Sequence, residues 1–312
     1  MRVLVAGGAG FVGSHVCHEL LDRGHHVTCL DDLSTGRWGN VSDLDGRPEF
    51  TFILSDVVDT PMLDVDVILH LASPASPVDY ERMPLETMSA NSLGTWRLLD
   101  IAHETGAKLT FVSTSEVYGD PLVHPQHESY WGNVDPVGPR SSYDESKRFG
   151  EALVMAMRRV RGVRATIVRL FNTYGPQMRF DDGRVIPEFL GSALEGRPLI
   201  IQGDGSQTRS FCYVSDLVEG LLLVGLDPGN DGEIFNIGNP SEITIRRLAE
   251  KIRDVIQPDL PILSVDGRPG DPARRRPDIS KIQDRYGWEP KVGLTDGLQA
   301  TIERISGAEV AV

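Results

Sequence analysis

Between an apolar run at Arg2 to Ala6 and a helix-period segment at Gly13 to Arg23, the chain reads Gly7-Gly8-Ala9-Gly10-Phe11-Val12-Gly13. Nothing else in the sequence restricts the fold as tightly. Glycines there allow a tight turn and a close backbone approach to a pyrophosphate, while the helix behind them presents unpaired N–H groups and a partial positive charge. The word predicts a strand–turn–helix unit holding a dinucleotide, with Gly7, Gly10, Phe11, Val12 and Gly13 against it.

The surrounding chain has the matching texture. Val3 to Ala6, Val27 to Leu30, Phe50 to Leu54, Val67 to Leu71, Leu109 to Ser113 and Ala165 to Leu170 read as strands, separated by amphipathic stretches such as Gly13 to Arg23, Pro84 to Thr105 and Ser142 to Arg161. The expected fold is α/β, a Rossmann-type doubly wound parallel sheet with helices on both faces. Residues 1–171 are expected to form the NAD-binding domain, with later returns near 210–240. Residues 172–312, with shorter elements between Gly- and Pro-rich loops, are expected to form mainly a smaller, interleaved substrate-binding region.

Asp31 ends the second strand 18 residues after Gly13 and is placed to accept hydrogen bonds from an adenosine ribose. A carboxylate there repels a 2′-phosphate and so favours NAD over NADP, with Arg37 nearby as the one contrary sign. Asp32 reads as a cofactor contact or a loop cap, and Ser34, Thr35 and Gly36 continue the same loop. Asp56 and Val57 suit an adenine edge or an ordinary strand-end turn. Leu71 and Ser73, at the end of the fourth strand, complete the expected cofactor site.

Thr114 closes another apolar run, and 29 residues later comes Tyr143, followed by Lys147. Oxidising a secondary alcohol requires a base for the hydroxyl proton, and a free Tyr, titrating near ~10, needs help near neutrality. Lys147 lies one helical turn beyond Tyr143 on the same face, where its charge is expected to lower the Tyr pKa and tether the nicotinamide ribose. Thr114 is expected to hold the phenolate and the substrate oxygen.

Composition narrows the ligands. Net charge −14, from 31 basic and 45 acidic residues, disfavours nonspecific attraction to nucleic acid or anionic membranes. No apolar run approaches the roughly 18 residues of a membrane span, and with a strand at Arg2 to Ala6 no signal peptide is expected. Cys17, Cys29 and Cys212 have no CxxC or His/Cys metal spacing, so buried thiols, no metal and a cytoplasmic location are expected.

The words His70-Leu-Ala-Ser-Pro-Ala-Ser-Pro77 with Tyr80, Thr114-Ser-Glu-Val-Tyr-Gly-Asp-Pro121, Leu170-Phe-Asn-Thr-Tyr-Gly-Pro176, Asp182-Gly-Arg-Val-Ile186, Gly205-Ser-Gln-Thr-Arg-Ser-Phe211 and Asp271-Pro-Ala-Arg-Arg-Arg-Pro-Asp278 carry a family resemblance. Over nearly its whole length the chain resembles the extended short-chain dehydrogenase/reductase superfamily, and within it the UDP-glucuronic acid decarboxylases. The related 4,6-dehydratases carry Asp-Glu after the Thr, and 4-epimerases usually have small apolar residues there. Here Ser115-Glu116 stands in that place.

The resemblance implies an NAD-dependent enzyme that oxidises carbon 4 of UDP-glucuronate, loses carbon dioxide from the 4-keto acid and returns the reducing equivalent to form UDP-xylose. A variant that stops at UDP-4-keto-pentose and releases NADH is also open. An NAD-sensing protein without turnover is disfavoured by the retained Tyr143 and Lys147. Ser115 is expected to orient the departing carboxylate and Glu116 to assist at carbon 5, where a raised pKa would be useful. Pro77 and Tyr80 are expected on a uronate-facing wall. Arg209 and Arg275 are the cations for diphosphate and carboxylate, Arg275 meeting either one, while Arg274 and Arg276 read as solvated. Asn172, Arg184, Val185, Ile186 and Gln202 are expected along the nucleotide-sugar cleft. Apolar stripes on more than one face of Pro84 to Thr105 and Ser142 to Arg161 fit either a second subunit or cover by loops of the same chain, and the family implies a homodimer.

Overall fold

A computed structural model describes residues 1–267 and 274–309. Its centre is a seven-stranded parallel sheet. In chain order its first elements are β1 (Arg2–Ala6), α1 (Phe11–Asp22), β2 (His26–Asp31), β3 (Phe50–Leu54) and β4 (Val67–His70). Two short helices follow, α2 (Pro77–Arg82) and α3 (Pro84–Ser89), then α4 (Thr95–Thr105), β5 (Lys108–Thr114), α5 (Ser141–Arg161) and β6 (Ala165–Leu170). Ile234–Ile237 adds the seventh strand, pairing in parallel with β6. Across the sheet the order is Ile234–Ile237, β6, β5, β4, β1, β2, β3, so the winding direction reverses between β1 and β4. Ligands of such sheets bind in the crevice that this reversal opens at the carboxyl ends of the strands.

The strands are apolar because both faces are covered. All seven residues of β5 are buried. Val5, Leu69, Val112 and Val168 belong to the core under α1 and the helix Val214–Leu226 (α7 below), whereas Leu4, Ile68, Leu109 and Ile167 face α4 and α5. Each such side chain contributes roughly 1.5–3 kcal/mol of burial. Gly150 sets the fit of α5 on the sheet, since a Cβ there would run into the Phe111 ring. Close packing of α5 brings its first two turns to the end of β5, where the chemistry lies.

The stretch Pro84 to Thr105, expected as one helix, contains a π turn over Ala90–Gly94 between α3 and α4. Its cause is visible at Asn91, whose buried amide donates to Ser73 Oγ at 2.9 Å and to Ser146 Oγ at 3.0 Å. The widened turn aims that side chain between the β4 loop and α5, and helical periodicity alone does not encode it.

Beyond β6 a smaller unit covers the crevice. The elements beyond β6 include α6 (Val185–Leu194), α7 (Val214–Leu226) and α8 (Ile245–Ile256), and Phe189, Leu190, Leu199, Ile201, Leu248, Ile252 and Leu298 are in the smaller unit's core. α7 itself returns to the sheet and packs beside α1, through Leu217 and Leu221. Among the described residues no helix is long and apolar enough to cross a membrane.

Candidate active site

A cleft of about 630 Å³ runs along the carboxyl ends of the central strands. At one end lies the glycine turn. Gly7 adopts φ +82°, and a Cβ on it would lie 2.6 Å from the Ala72 backbone nitrogen; a Cβ on Gly13 would collide with the Gly7 carbonyl. The backbone is thus compact enough for a diphosphate to approach. α1 begins with Gly10 as N-cap, with no side-chain cap and no acidic residue in its first turn, which leaves its amides directed at the cleft. A smaller cavity of about 110 Å³ adjoins it, lined by Asp31, Asp32, Ser34, Thr35, Asp56, Val57, Leu71 and Ser73. Turn and cavity together fit NAD.

Asp31 also supports the turn. Its carboxylate accepts the Ala9 amide and the Leu33 amide, each at 2.9 Å, and burial raises its pKa while those hydrogen bonds oppose the rise. Gly36 lines neither cavity; a Cβ there would lie 2.6 Å from Asp31 Oδ1, so the glycine leaves room for that carboxylate. Asp32 caps its own loop, accepting from the Ser34 amide at 2.9 Å and Ser34 Oγ at 2.7 Å. Asp56 likewise accepts the Val58 amide at 2.9 Å.

In the cleft the end of β5 delivers Thr114, the short helical turn after it (Ser115–Tyr118) delivers Ser115 and Glu116, and α5 delivers Tyr143 and Lys147. Burial holds the Tyr143 phenol pKa well above its ordinary value, and the neighbouring Thr114 hydroxyl opposes that rise only in part. The expected lowering by Lys147 is not what the structure has. Lys147 Nζ donates to the Val112 carbonyl at 2.8 Å and stands 5.9 Å from the centroid of the Tyr143 ring. Its own pKa is pulled down to about 7 by burial, against the attraction of Glu151. Tyr80 stacks on Tyr143, ring centroids 5.2 Å apart and 7° from parallel, and Pro77 opens the helix that carries it.

Glu116 corrects a second expectation. Burial would raise its pKa, but Arg275 and Arg140 overcome burial and hold it below the usual carboxylate range. Arg275 donates Nη2 to Oε2 at 2.8 Å and Nη1 to Oε1, and Arg140 Nη2 also donates to Oε2. Arg275, expected on a substrate oxyanion, is therefore engaged by the protein's own carboxylate. Arg140 was not anticipated from sequence: it stands three residues before Tyr143 without a motif of its own. Asp144, beside it, is pushed up to about 7 by burial and by the Glu116 charge, and its buried Oδ1 has no hydrogen-bond partner among the described residues.

Arg209, Asn172, Arg184, Val185, Ile186 and Gln202 line the far end of the cleft. Arg184 is oriented by Asp182, which accepts both its amide and its Nε at 2.9 Å. Arg274 is exposed as expected, while the Arg276 amide donates to Gln126 Oε1 at 2.9 Å. Asp271 to Ala273, the beginning of the last motif word, lie outside the described residues. Among the described residues no group of three metal-type ligands occurs.

The model of the NAD dependent epimerase/dehydratase family matches residues 3–238. UDP-glucuronic acid decarboxylase 3 of Arabidopsis thaliana is 49% identical over 96% of this chain and 87% of its own length. A UDP-glucose 4-epimerase of Thermotoga maritima, solved with UDP-glucose, superimposes with TM-score 0.90 at 30% identity over 99% of this chain and 100% of the other. A UDP-glucuronic acid 4-epimerase of Bacillus cereus, solved with UDP-glucuronic acid and NAD, gives 0.89 and 30% over the same shares. With this agreement of sequence, fold and site, the chain belongs to the NAD dependent epimerase/dehydratase family, in its UDP-glucuronic acid decarboxylase branch.

Proposed function

We propose that this chain converts UDP-glucuronate to UDP-xylose and carbon dioxide with NAD recycled inside each turnover. One observation carries the choice of reaction. Glu116 is an ionised carboxylate clamped by Arg140 and Arg275 in the cleft that holds Tyr143, and Ser115 stands before it where a dehydratase needs an acid.

Bound NAD would supply the hydride acceptor at carbon 4 and, once reduced, the hydride donor at the end. Gly7, Gly10 to Gly13, Asp31 and the loop of Ser34 and Thr35 would hold it, with Lys147 toward its ribose. Tyr143, beside Thr114 in the cleft, takes the proton of the carbon 4 hydroxyl. The resulting ketone is β to the carboxylate at carbon 5, so the carbon–carbon bond to that carboxylate breaks with its electron pair entering an enolate. Tyr143, now protonated, stabilises the enolate oxygen, and Ser115 orients the departing carboxylate.

Glu116 is charged, so it is not the acid; its part is to orient the water that brings a solvent proton to carbon 5, which collapses the enolate to the 4-keto-pentose before the hydride returns to carbon 4. Its two arginines set a positive field around the leaving carboxylate. Arg209, with Asn172, Arg184, Val185 and Gln202, is assigned to the nucleotide-sugar end. Residues 1–171 would thus bind the cofactor and 172–312 mainly the substrate.

A homodimer accounts for apolar side chains exposed on neighbouring helices: Leu85 (75%), Met88 (45%), Leu93 (60%), Trp96 (45%) and Phe149 (51%). Three free, buried thiols agree with a reducing, cytoplasmic location.

The test is incubation of the purified protein with UDP-glucuronate and NAD, following carbon dioxide and the nucleotide sugar by mass and NMR. UDP-xylose without net NADH is the expected result. A product that keeps the mass of carbon dioxide removes the proposal, and NADH equal to the carbon dioxide released favours the keto-pentose variant.

A further inference from the structure

We infer that Asp79 and Arg179 form a clasp across the cleft that retains the ketone intermediate, and so decide how often turnover ends in UDP-xylose and how often in a released keto-pentose. The inference rests on the reaction proposed above.

Two walls enclose the sugar end of the cleft. One is α2, which carries Tyr80; the other is the strap 175–184 between β6 and α6, and residues of both line the cavity. Arg179 Nη2 joins them, donating to Asp79 Oδ1 at 2.8 Å and Oδ2 at 3.0 Å. Asp79 is buried, its side chain 5% exposed. It also accepts Ser76 Oγ at 2.7 Å, and Arg82 approaches Oδ1 at 3.5 Å. The contact is close along its length, because a Cβ on Gly183 would lie 2.7 Å from Val78 Cγ2.

The other end of the strap is tied to the cofactor side. Ser14 Oγ donates to Gln177 Oε1 at 2.7 Å, and His15 Nε2 lies 3.2 Å from the Pro176 carbonyl. Both Ser14 and His15 sit in the helix that follows the glycine turn. One ten-residue segment thus connects the cofactor helix to the substrate wall.

A largely buried ion pair is a weak source of stability, since desolvation offsets much of its attraction. Its position suggests what it does instead. Asp79 immediately precedes Tyr80, whose ring lies parallel to that of Tyr143, so the clasp fixes both the cover of the cleft and the ring stacked on the catalytic phenol.

Retention matters for chemical reasons. UDP-glucuronate and NAD give UDP-4-keto-pentose, carbon dioxide and NADH, the proton removed from the hydroxyl being matched by the proton added at carbon 5. Only if the ketone stays beside the reduced cofactor do UDP-xylose and NAD follow. No covalent bond holds it, so the closed cleft must.

The test uses full-length protein carrying Arg179→Gln or Arg179→Lys, with folding checked by thermal denaturation. In a Tyr143→Phe background, which blocks oxidation, release of UDP-glucuronate is timed by stopped flow. Arg179→Gln should speed release roughly tenfold, the scale of one lost charge-assisted hydrogen bond, and Lys should recover most of it. With Tyr143 intact, Arg179→Gln should raise the share of turnovers ending in free keto-pentose and solution NADH.

Release and product shares within twofold of the parent overturn the clasp. A Lys variant as leaky as Gln also overturns it, by assigning the effect to the loop's shape and not to the ion pair. If unmodified protein does not decarboxylate UDP-glucuronate, the reaction fails; if it does and the variants retain product normally, only the clasp fails.

Discussion

Arg275 holds both carboxylate oxygens of Glu116, reaching back across 159 residues to do so. That contact sets the charge state of the residue proposed to assist decarboxylation.

Because the arginines hold Glu116 below the ordinary carboxylate pKa, it stays ionised as pH falls through the usual titration range near ~4.3. The depressed pKa contributes stability that is present above that value and lost only on further acidification. Glu116→Gln should leave UDP-glucuronate binding within about threefold and slow carbon dioxide release by roughly 10²-fold or more. Calorimetry and single-turnover product analysis check the two halves. Unchanged turnover in the Gln variant removes Glu116 from the mechanism.

Replacing Arg275 by Met leaves Glu116 buried with Arg140 as its remaining guanidinium partner from this contact. Breaking a buried pair from one side costs ~3–5 kcal/mol, and the remaining arginine should reduce that to about 1–3 kcal/mol. A measurable fall in Tm is expected together with loss of turnover, and Glu116→Gln/Arg275→Met should destabilise by less than the sum of the single changes. Additive losses would show that the two side chains do not act as a pair.

Much of this arrangement was legible in the chain. Parallel strands covered on both faces read as plain apolar runs, and the glycine word and the Tyr143/Lys147 spacing are local, so they survive without coordinates. Ile234–Ile237 was foreseen only as a return to the first domain, being short and distant from its partner β6. The π turn at Ala90–Gly94 escaped because its cause, the bridge from Asn91 to Ser73 and Ser146, is tertiary. Glu116 escaped for the same reason: its sequence neighbours say nothing of Arg140 and Arg275, and those two cations reverse the effect of burial on its pKa. Lys147 was assigned to Tyr143 from helical spacing, yet its ammonium turns to the Val112 carbonyl.

That lysine makes a pH prediction. Its pKa falls to about 7 in the folded, cofactor-free chain, from an ordinary value near ~10.4 when unfolded. The folded state therefore binds fewer protons between those values. Stability from this group is full above the unfolded pKa and is lost as pH drops toward about 7. Lys147→Met should be the more stable protein by a few °C near pH 7, and its advantage should shrink as pH rises toward 10. A Tm difference that stays constant over this range would contradict the assignment. The same variant should lose sugar oxidation.

Two glycines should separate the cofactor turn from ordinary backbone freedom. A Cβ on Gly13 would meet the Gly7 carbonyl, whereas one on Gly24, at φ +76°, meets nothing within 4 Å. Gly24→Ala should cost only its left-handed backbone conformation, on the order of 1 kcal/mol, and leave NAD affinity unchanged. Gly13→Ala must instead push α1 away from the turn, removing the amides that face the diphosphate. Calorimetric titration should show NAD affinity falling by roughly tenfold or more for Gly13→Ala, with far-UV circular dichroism still reporting a folded α/β chain. If Gly13→Ala binds NAD as well as Gly24→Ala, the diphosphate does not rest on this turn, and the cofactor must be sought elsewhere along the cleft.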